Sequence, residues 1–103
     1  MSYPLAPTTC VIAASGTTSA AADLGQQADW MAVTIPTIDS ATLSLQVSDD
    51  NSTFVALGSS VNVVAGTGAF VDWWNVGGHR YIKIVSSATQ TAACTFKVQG
   101  FKI

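Results

Sequence analysis

The sequence predicts an all-β fold, with about eight short antiparallel strands in a β-sandwich or jelly-roll-like arrangement. Three observations support this class. Val, Thr, Ser, Ile and aromatic residues, which suit half-buried sheet surfaces, are plentiful, whereas the 103 residues include no Glu and few Lys. Turn-forming residues recur every eight to twelve residues or so, a spacing typical of sandwiches. The stretch 41–57 also has the pattern of a hairpin.

That stretch is the clearest element of the sequence. Leu43, Leu45 and Val47 alternate with polar residues, which predicts a strand with one buried and one wet face. The turn formers at 49–52 follow, and apolar residues return at 53–57. We therefore expect a β-hairpin in the middle of the chain.

The first seven residues are predicted to form an arm ahead of one β-sandwich domain at 8–103. Pro4 and Pro7 lack amide donors and oppose regular pairing, while Tyr3 and Leu5 are apolar anchors. Two interpretations stay open for 1–7: a frayed terminus, or an arm that orders against a neighbouring subunit.

Strands are predicted at 8–14, around 23–24 with an end at Gly25, and at 29–35, where Pro36 stops the pairing. After the hairpin, a turn is expected at 58–60, followed by strands at 61–65 and 69–74, a loop at 75–79, and strands at 80–86 and 91–103. In the last strand, Phe101 and Ile103 fall on the opposite phase to Cys94, Phe96 and Val98. We expect a bulge at Gly100; the alternative is an apolar end that faces a partner.

Charge is scarce. Only 10% of residues are charged, against about 25% in an ordinary soluble domain, and the net charge is −2. A surface of this kind favours an oligomer or a large assembly, although an extracellular sandwich with a neutral surface would also fit. The net negative charge argues against a nucleic-acid groove.

The sequence has no apolar run long enough to span a membrane, and its first ten residues, which lack a basic region and contain prolines, lead us to expect no signal peptide. We therefore expect synthesis in a cytoplasm, with Cys10 and Cys94 as buried thiols. A late disulfide between them is the alternative, because the first and last strands could pair.

No pattern in the sequence specifies a chemistry. His79 is the only histidine, and no nucleophile or carboxylate is tied to it by a known spacing. Asp49, Asp50 and Asn51 could ligate calcium, but turn chemistry explains them without an ion. We expect no enzyme activity, no cofactor and no metal.

The pair Trp73–Trp74 is the most suggestive feature outside the predicted core. On an alternating strand one indole points inward and the other outward. An outward Trp can anchor a protein interface or stack on a sugar ring, while a covering loop would give it neither role.

Five stretches of the chain form a pattern together: MAVTIP at 31–36, ATLSLQVSDD at 41–50, TFVAL at 53–57, RYIKI at 80–84 and QTA at 90–92. This pattern resembles that of small virion proteins of tailed bacteriophages. In those proteins a strand of the form (A/S)-(T/S)-L-x-(F/L)-Q-V-S-x-D leads to a hairpin ending T-(F/W)-x-x-L, and R-Y-(I/L)-(K/R)-I and Q-T-A segments follow. The hairpin tip departs from the pattern, because Asp-Asn-Ser stands where Asp-Gly is frequent.

The resemblance implies a β-sandwich on phage particles, as a head-decoration or cement protein or as a tail, baseplate or fibre component. We expect a virion protein that binds the head shell as a homo-oligomer, such as a trimer, with the major capsid protein or other virion proteins as partners. A carbohydrate-binding module is the alternative from another class. The candidate contact residues are Tyr3, Leu5, Trp73, Trp74, Phe101 and Ile103.

Overall fold

The fold is all-β, as a computed structural model that describes residues 3–57 and 63–102 shows. Its strands are β1 (Tyr3–Pro4), β2 (Thr8–Ile12), β3 (Ala22–Ile35), β4 (Ala41–Ser48), β5 (Val55–Ala56), β6 (Val63–Ala65), β7 (Phe70–Ser86) and β8 (Cys94–Lys102). All pairs are antiparallel, in the order β1-β8-β3-β7-β4-β5, while β2 also pairs with β8 and β6 with β4. The predicted fold class is confirmed.

Two strands are long and bend together. β3 and β7 pair along most of their lengths, with register shifts on β3 between Asp23 and Trp30. Gly25, Gly77 and Gly78 have φ angles of 93°, 74° and 87° at this level. Glycine adopts such angles at no steric cost, so both strands can form bulges that bend the sheet back on itself. The predicted strand end at Gly25 and the predicted loop at 75–79 are therefore wrong: both are bulges inside continuous strands.

The bend folds the single sheet into two layers around one core. The first layer holds β1, β2, β8 and the halves of β3 and β7 on one side of the bulges. The second layer holds the start of β3 and the other half of β7, together with β4, β5 and β6. Inward side chains from both layers form one cluster, in which Met31, Leu43, Ile82, Ile84 and Phe96 are fully buried. Burying such side chains is the main stabilising contribution to a fold of this size.

The central hairpin forms as predicted. Leu43, Leu45 and Val47 of β4 are buried, and β4 pairs with β5 through the register Gln46–Ala56 and Val47–Val55. β3 ends at Ile35, directly before Pro36, as expected. The sequence pattern therefore identifies both the buried face and the end of these strands.

The N-terminal segment docks on the last strand of its own chain. β1 pairs with β8, the Leu5 backbone amide donates to the Gly100 carbonyl at 2.8 Å, and the side-chain amide of Gln99 donates to the Leu5 carbonyl at 2.9 Å. A Cβ atom on Gly100 would lie only 3.0 Å from Ala28 and 3.2 Å from Leu5. Gly100 thus provides the space into which Leu5 packs.

β8 runs through Gly100 without a register shift, since Val98, Gly100 and Phe101 pair in succession with Val33, Met31 and Trp30. The predicted bulge at this glycine is therefore wrong. Phe101 therefore keeps the phase opposite to that of Phe96 and Val98, and its side chain points to the outside of the sheet. Among the sequence predictions, the turn at 58–60, the start of the strand at 61–65, Ile103 and the side chain of Tyr3 lie outside the described residues.

Cys10 and Cys94 are free and buried, as expected. They occupy diagonal inward positions on β2 and β8, because Cys10 pairs with Phe96 and Ile12 with Cys94. Diagonal Cα atoms in such a ladder are about 7–8 Å apart, whereas a disulfide needs about 4.4–6.8 Å. Burial raises the pKa of both thiols, which keeps them protonated and unreactive at neutral pH.

Candidate functional site

The two neighbouring tryptophans point to opposite faces of β7. Trp74 is 3% exposed, and its indole N–H donates to the Asp72 carboxylate at 2.9 Å. Trp73 is 48% exposed on the outside of the sheet. The alternation predicted for this pair is confirmed. Trp74 belongs to the core, so Trp73 alone of the two is placed to touch a partner.

Trp73 forms an aromatic cluster with Trp30 on the adjacent strand β3 and with Phe101 on β8, the strand beyond it. The Trp30 and Trp73 rings are stacked, with centroids 5.7 Å apart and planes 14° apart. The Phe101 ring lies 4.8 Å from Trp73 at an angle of 50°. Stacked and tilted arrangements are the ones that aromatic pairs prefer, so the three rings pack as one cluster on the surface.

The cluster is part of a wide surface, which we call the outer face: the outward positions of the first layer. Cross-strand partners point to the same side of a sheet, so the register defines this set. Its members are Pro4, Thr9, Val11, Trp30, Ala32, Thr34, Val71, Trp73, Asn75, Thr95, Lys97, Gln99 and Phe101. Lys97 is the one charged side chain among them. Val71 is 69% exposed, so the face also offers aliphatic surface beyond the cluster.

The other candidate contacts lie in different surroundings. Leu5 is partly buried against the core, and Tyr3 contributes backbone pairing to β8. Trp30 is a member of the cluster that sequence reasoning did not single out. The signal was present, since the predicted inward phase of Met31, Val33 and Ile35 places Trp30 outward on the same strand.

The acidic hairpin tip is organised by its own backbone. The Asp50 carboxylate accepts hydrogen bonds from the Ser48 hydroxyl at 2.8 Å and from the Ser52 and Thr53 amides at 2.9 and 3.0 Å. These bonds, led by that from the Thr53 amide, lower the pKa of Asp50 to about 2. Asn51 adopts a φ of 58°, a left-handed conformation that Asn tolerates in turns.

A histidine–carboxylate contact and an ion pair lie where β7 leaves its bulge. The His79 Nδ1 atom is 3.0 Å from Asp49 Oδ1. Arg80 donates two hydrogen bonds to Asp23, at 2.8 and 3.0 Å, which lower the pKa of that carboxyl group. Both pairs are exposed to water, where such contacts contribute little to stability, so they tie the bulge to its neighbours without forming an enclosed site.

A shallow depression of about 130 Å³ opens at the other end of the molecule. It is lined by Thr37, Ile38, Asp39, Gln90, Ala92, Ala93 and Cys94. Gln90 is 1% exposed and bonds the backbone of Asp39 through both ends of its amide, at 2.7 and 3.0 Å. The Asp39 carboxylate accepts from the Thr91 amide and hydroxyl, both at 2.8 Å. The polar groups here join two loops.

Within residues 3–57 and 63–102, no three His, Cys, Asp or Glu side chains lie together as a metal ion would require. The same residues include no helix long and apolar enough to cross a membrane.

Comparisons with known proteins show the fold. No family model matches the chain, and no curated protein matches it significantly. Among solved structures it is similar to the SPBc2 prophage-derived protein YomS, at 14% identity over 94% of this chain and 96% of that one, with a TM-score of 0.59. It is also similar to the PBSX exported protein XepA, at 18% identity and a TM-score of 0.51; it spans 37% of that chain.

Proposed function

We propose that this chain is a structural protein of a tailed-phage particle, and that it decorates the head shell as a homo-oligomer. The observation that carries the proposal is the outer face, where an exposed aromatic cluster lies on a surface with one charged side chain. Interface centres are enriched in aromatic residues and depleted of charge. The geometry therefore suits a protein that acts by contact.

Two further observations support a place on a phage particle. The fold is shared along nearly its whole length with a protein described as prophage-derived. The strand and turn motifs at 41–57, 80–84 and 90–92 resemble those of small virion proteins. The low fraction of charged residues, 10%, agrees with a chain whose surface is largely covered by neighbours.

The head shell is the partner we favour, because its lattice repeats one binding site many times. An oligomer that touches several shell subunits at once gains affinity from each modest contact, without needing a large interface at any of them. A tail, baseplate or fibre protein is the alternative place on the particle.

The proposal is tested on particles of the phage whose genome encodes this chain. Heads and tails are separated, and the chain is quantified in each by mass spectrometry against the major capsid protein and the tail-tube protein. We expect a fixed ratio to the capsid protein in the head fraction. Recovery with tails would favour the alternative, and absence from purified particles would refute a virion role.

A further inference from the structure

We propose that the outer face is an interface between two copies of this chain, packed face to face about a two-fold axis. The inference rests on the proposed function only in giving this face a contact role. It names the partner, a second copy, which the particle experiment does not address. The pairing predicts an even-numbered assembly, unlike the trimer that the sequence suggested.

The extent of the face favours a protein partner over a small ligand. It is four strands wide, about 19 Å at the usual strand spacing, and reaches well beyond the aromatic cluster. Val71 and Val11 are 69% and 37% exposed outside the cluster. A sugar ring would need an open indole face, but Trp30 and Trp73 partly cover each other by stacking.

The distribution of charge favours a second copy. A face whose one charged side chain is Lys97 can meet itself without like-charge repulsion, and it offers little that a strongly charged partner could recognise. Lys97, Gln99 and Phe101 are successive outward positions on β8, and Ala32 pairs with the middle one. Consider a two-fold axis that lies between the two faces, runs at right angles to the strands and passes over Gln99. It places Lys97 of one copy against Phe101 of the other, which gives a cation–π contact.

The same axis brings the two Trp73 side chains together, since Trp73 pairs with Ala32 on the axial row. Trp73 lies on β7, at one side of the four-strand face, but on the row that the axis follows. The two indoles therefore meet midway along the strands, with Thr34 and Lys97 toward the strand ends.

Part of the sheet's edge is poorly suited to the addition of a strand: Pro4 interrupts β1, and β5 and β6 have two and three residues. Short strands and proline at an edge hinder the addition of another strand. Two outer faces together would remove roughly 1,000 Å² of accessible surface, which is near the lower limit of specific interfaces. We therefore expect a reversible dimer.

The test is sedimentation equilibrium of the purified chain, up to several hundred micromolar. We expect a concentration-dependent dimer of twice the 10.6 kDa chain mass. Trp73→Ala should weaken association at least tenfold, and Val71→Asp should abolish it by burying two carboxylates. Val64→Asp is the matched control, since Val64 is 76% exposed on β6, away from the face; it should associate like the unmodified chain.

Circular dichroism confirms that each variant is folded. A monomer at all concentrations, a trimer, or equal damage from Val64→Asp and Val71→Asp would overturn the inference. So would Trp73-dependent binding of cellohexaose by a chain that stays monomeric, which would make the face a sugar site. Each of these results leaves the particle experiment to decide independently whether the chain is a virion protein and where on the particle it lies.

Discussion

Replacing Asp72 by Ala should destabilise the fold because it leaves the buried indole of Trp74 without its hydrogen-bond acceptor. Asp72 accepts the indole N–H of Trp74 and the backbone N–H of Trp73, both at 2.9 Å. Trp74 is buried, so its indole N–H has little access to water once the carboxylate is removed. The variant therefore tests whether Asp72 is the group that allows a tryptophan to be buried at this point of β7.

The magnitude follows from the kind of bond. A hydrogen bond to a charged acceptor contributes about 1.5–3 kcal/mol, and an orphaned buried donor costs about 1–3 kcal/mol. Because Asp72 is itself only partly buried, some water can replace it. We expect Asp72→Ala to lower the free energy of unfolding by about 1.5–2.5 kcal/mol. Asp72→Asn keeps a carbonyl acceptor and should cost less than about 1 kcal/mol.

Urea unfolding gives the free energies, and the indole N–H signal of Trp74 in a ¹H–¹⁵N spectrum reports the bond directly. In Asp72→Ala this signal should shift strongly, whereas in Asp72→Asn it should stay near its original position. The reasoning fails if the free energy of unfolding of Asp72→Ala lies within about 0.5 kcal/mol of that of the unmodified chain, because this difference is below the smallest cost assigned to the lost bond. Equal destabilisation by the two substitutions would also contradict it.

Three other substitutions test the remaining structure. Gly100→Val should crowd Leu5 and lower the free energy of unfolding by about 1–3 kcal/mol, with faster amide exchange at Leu5; unchanged exchange would show that Gly100 does not hold the arm. Gln90→Met should cost about 2–3 kcal/mol in urea unfolding, because it leaves the Asp39 amide without its acceptor; a cost near zero would argue against this role. Asp50 has a folded pKa of about 2, below its usual 3.8, so its contribution is present above pH 4 or so and is lost toward pH 2. Asp50→Asn should remove this part of the acid sensitivity of the melting temperature, and identical acid profiles for the two chains would contradict the assignment.

Much of the fold could be predicted because local patterns determine it. The alternation of Leu43, Leu45 and Val47 fixes the buried face of β4, and the same rule separates Trp73 from Trp74. The glycines at 25, 77 and 78 led to wrong predictions of a strand end and a loop. A glycine that ends a strand and one that bulges it have the same local signature, and only pairing with a distant strand distinguishes the two.

The site was less predictable for the same reason. Trp73 and Phe101 are visible as outward residues of separate strands, but their contact with each other and with Trp30 depends on β3, β7 and β8 being neighbours. Gln90 lies between the strands predicted at 80–86 and 91–103, yet it joins two loops from inside the protein. Long-range register, which a single sequence does not encode locally, brings these groups together.

The shared use of β3 and β7 by both layers has a consequence for how the chain folds. Their paired residues lie far apart in the sequence, as with Ile35 and Phe70 at one end and Ala22 and Ile82 at the other. Neither layer can be completed before this distant pairing forms, and non-local pairing of this kind makes folding slow. We expect a single cooperative transition without a stable half-sandwich, so that a newly made chain is either completely folded or not yet folded.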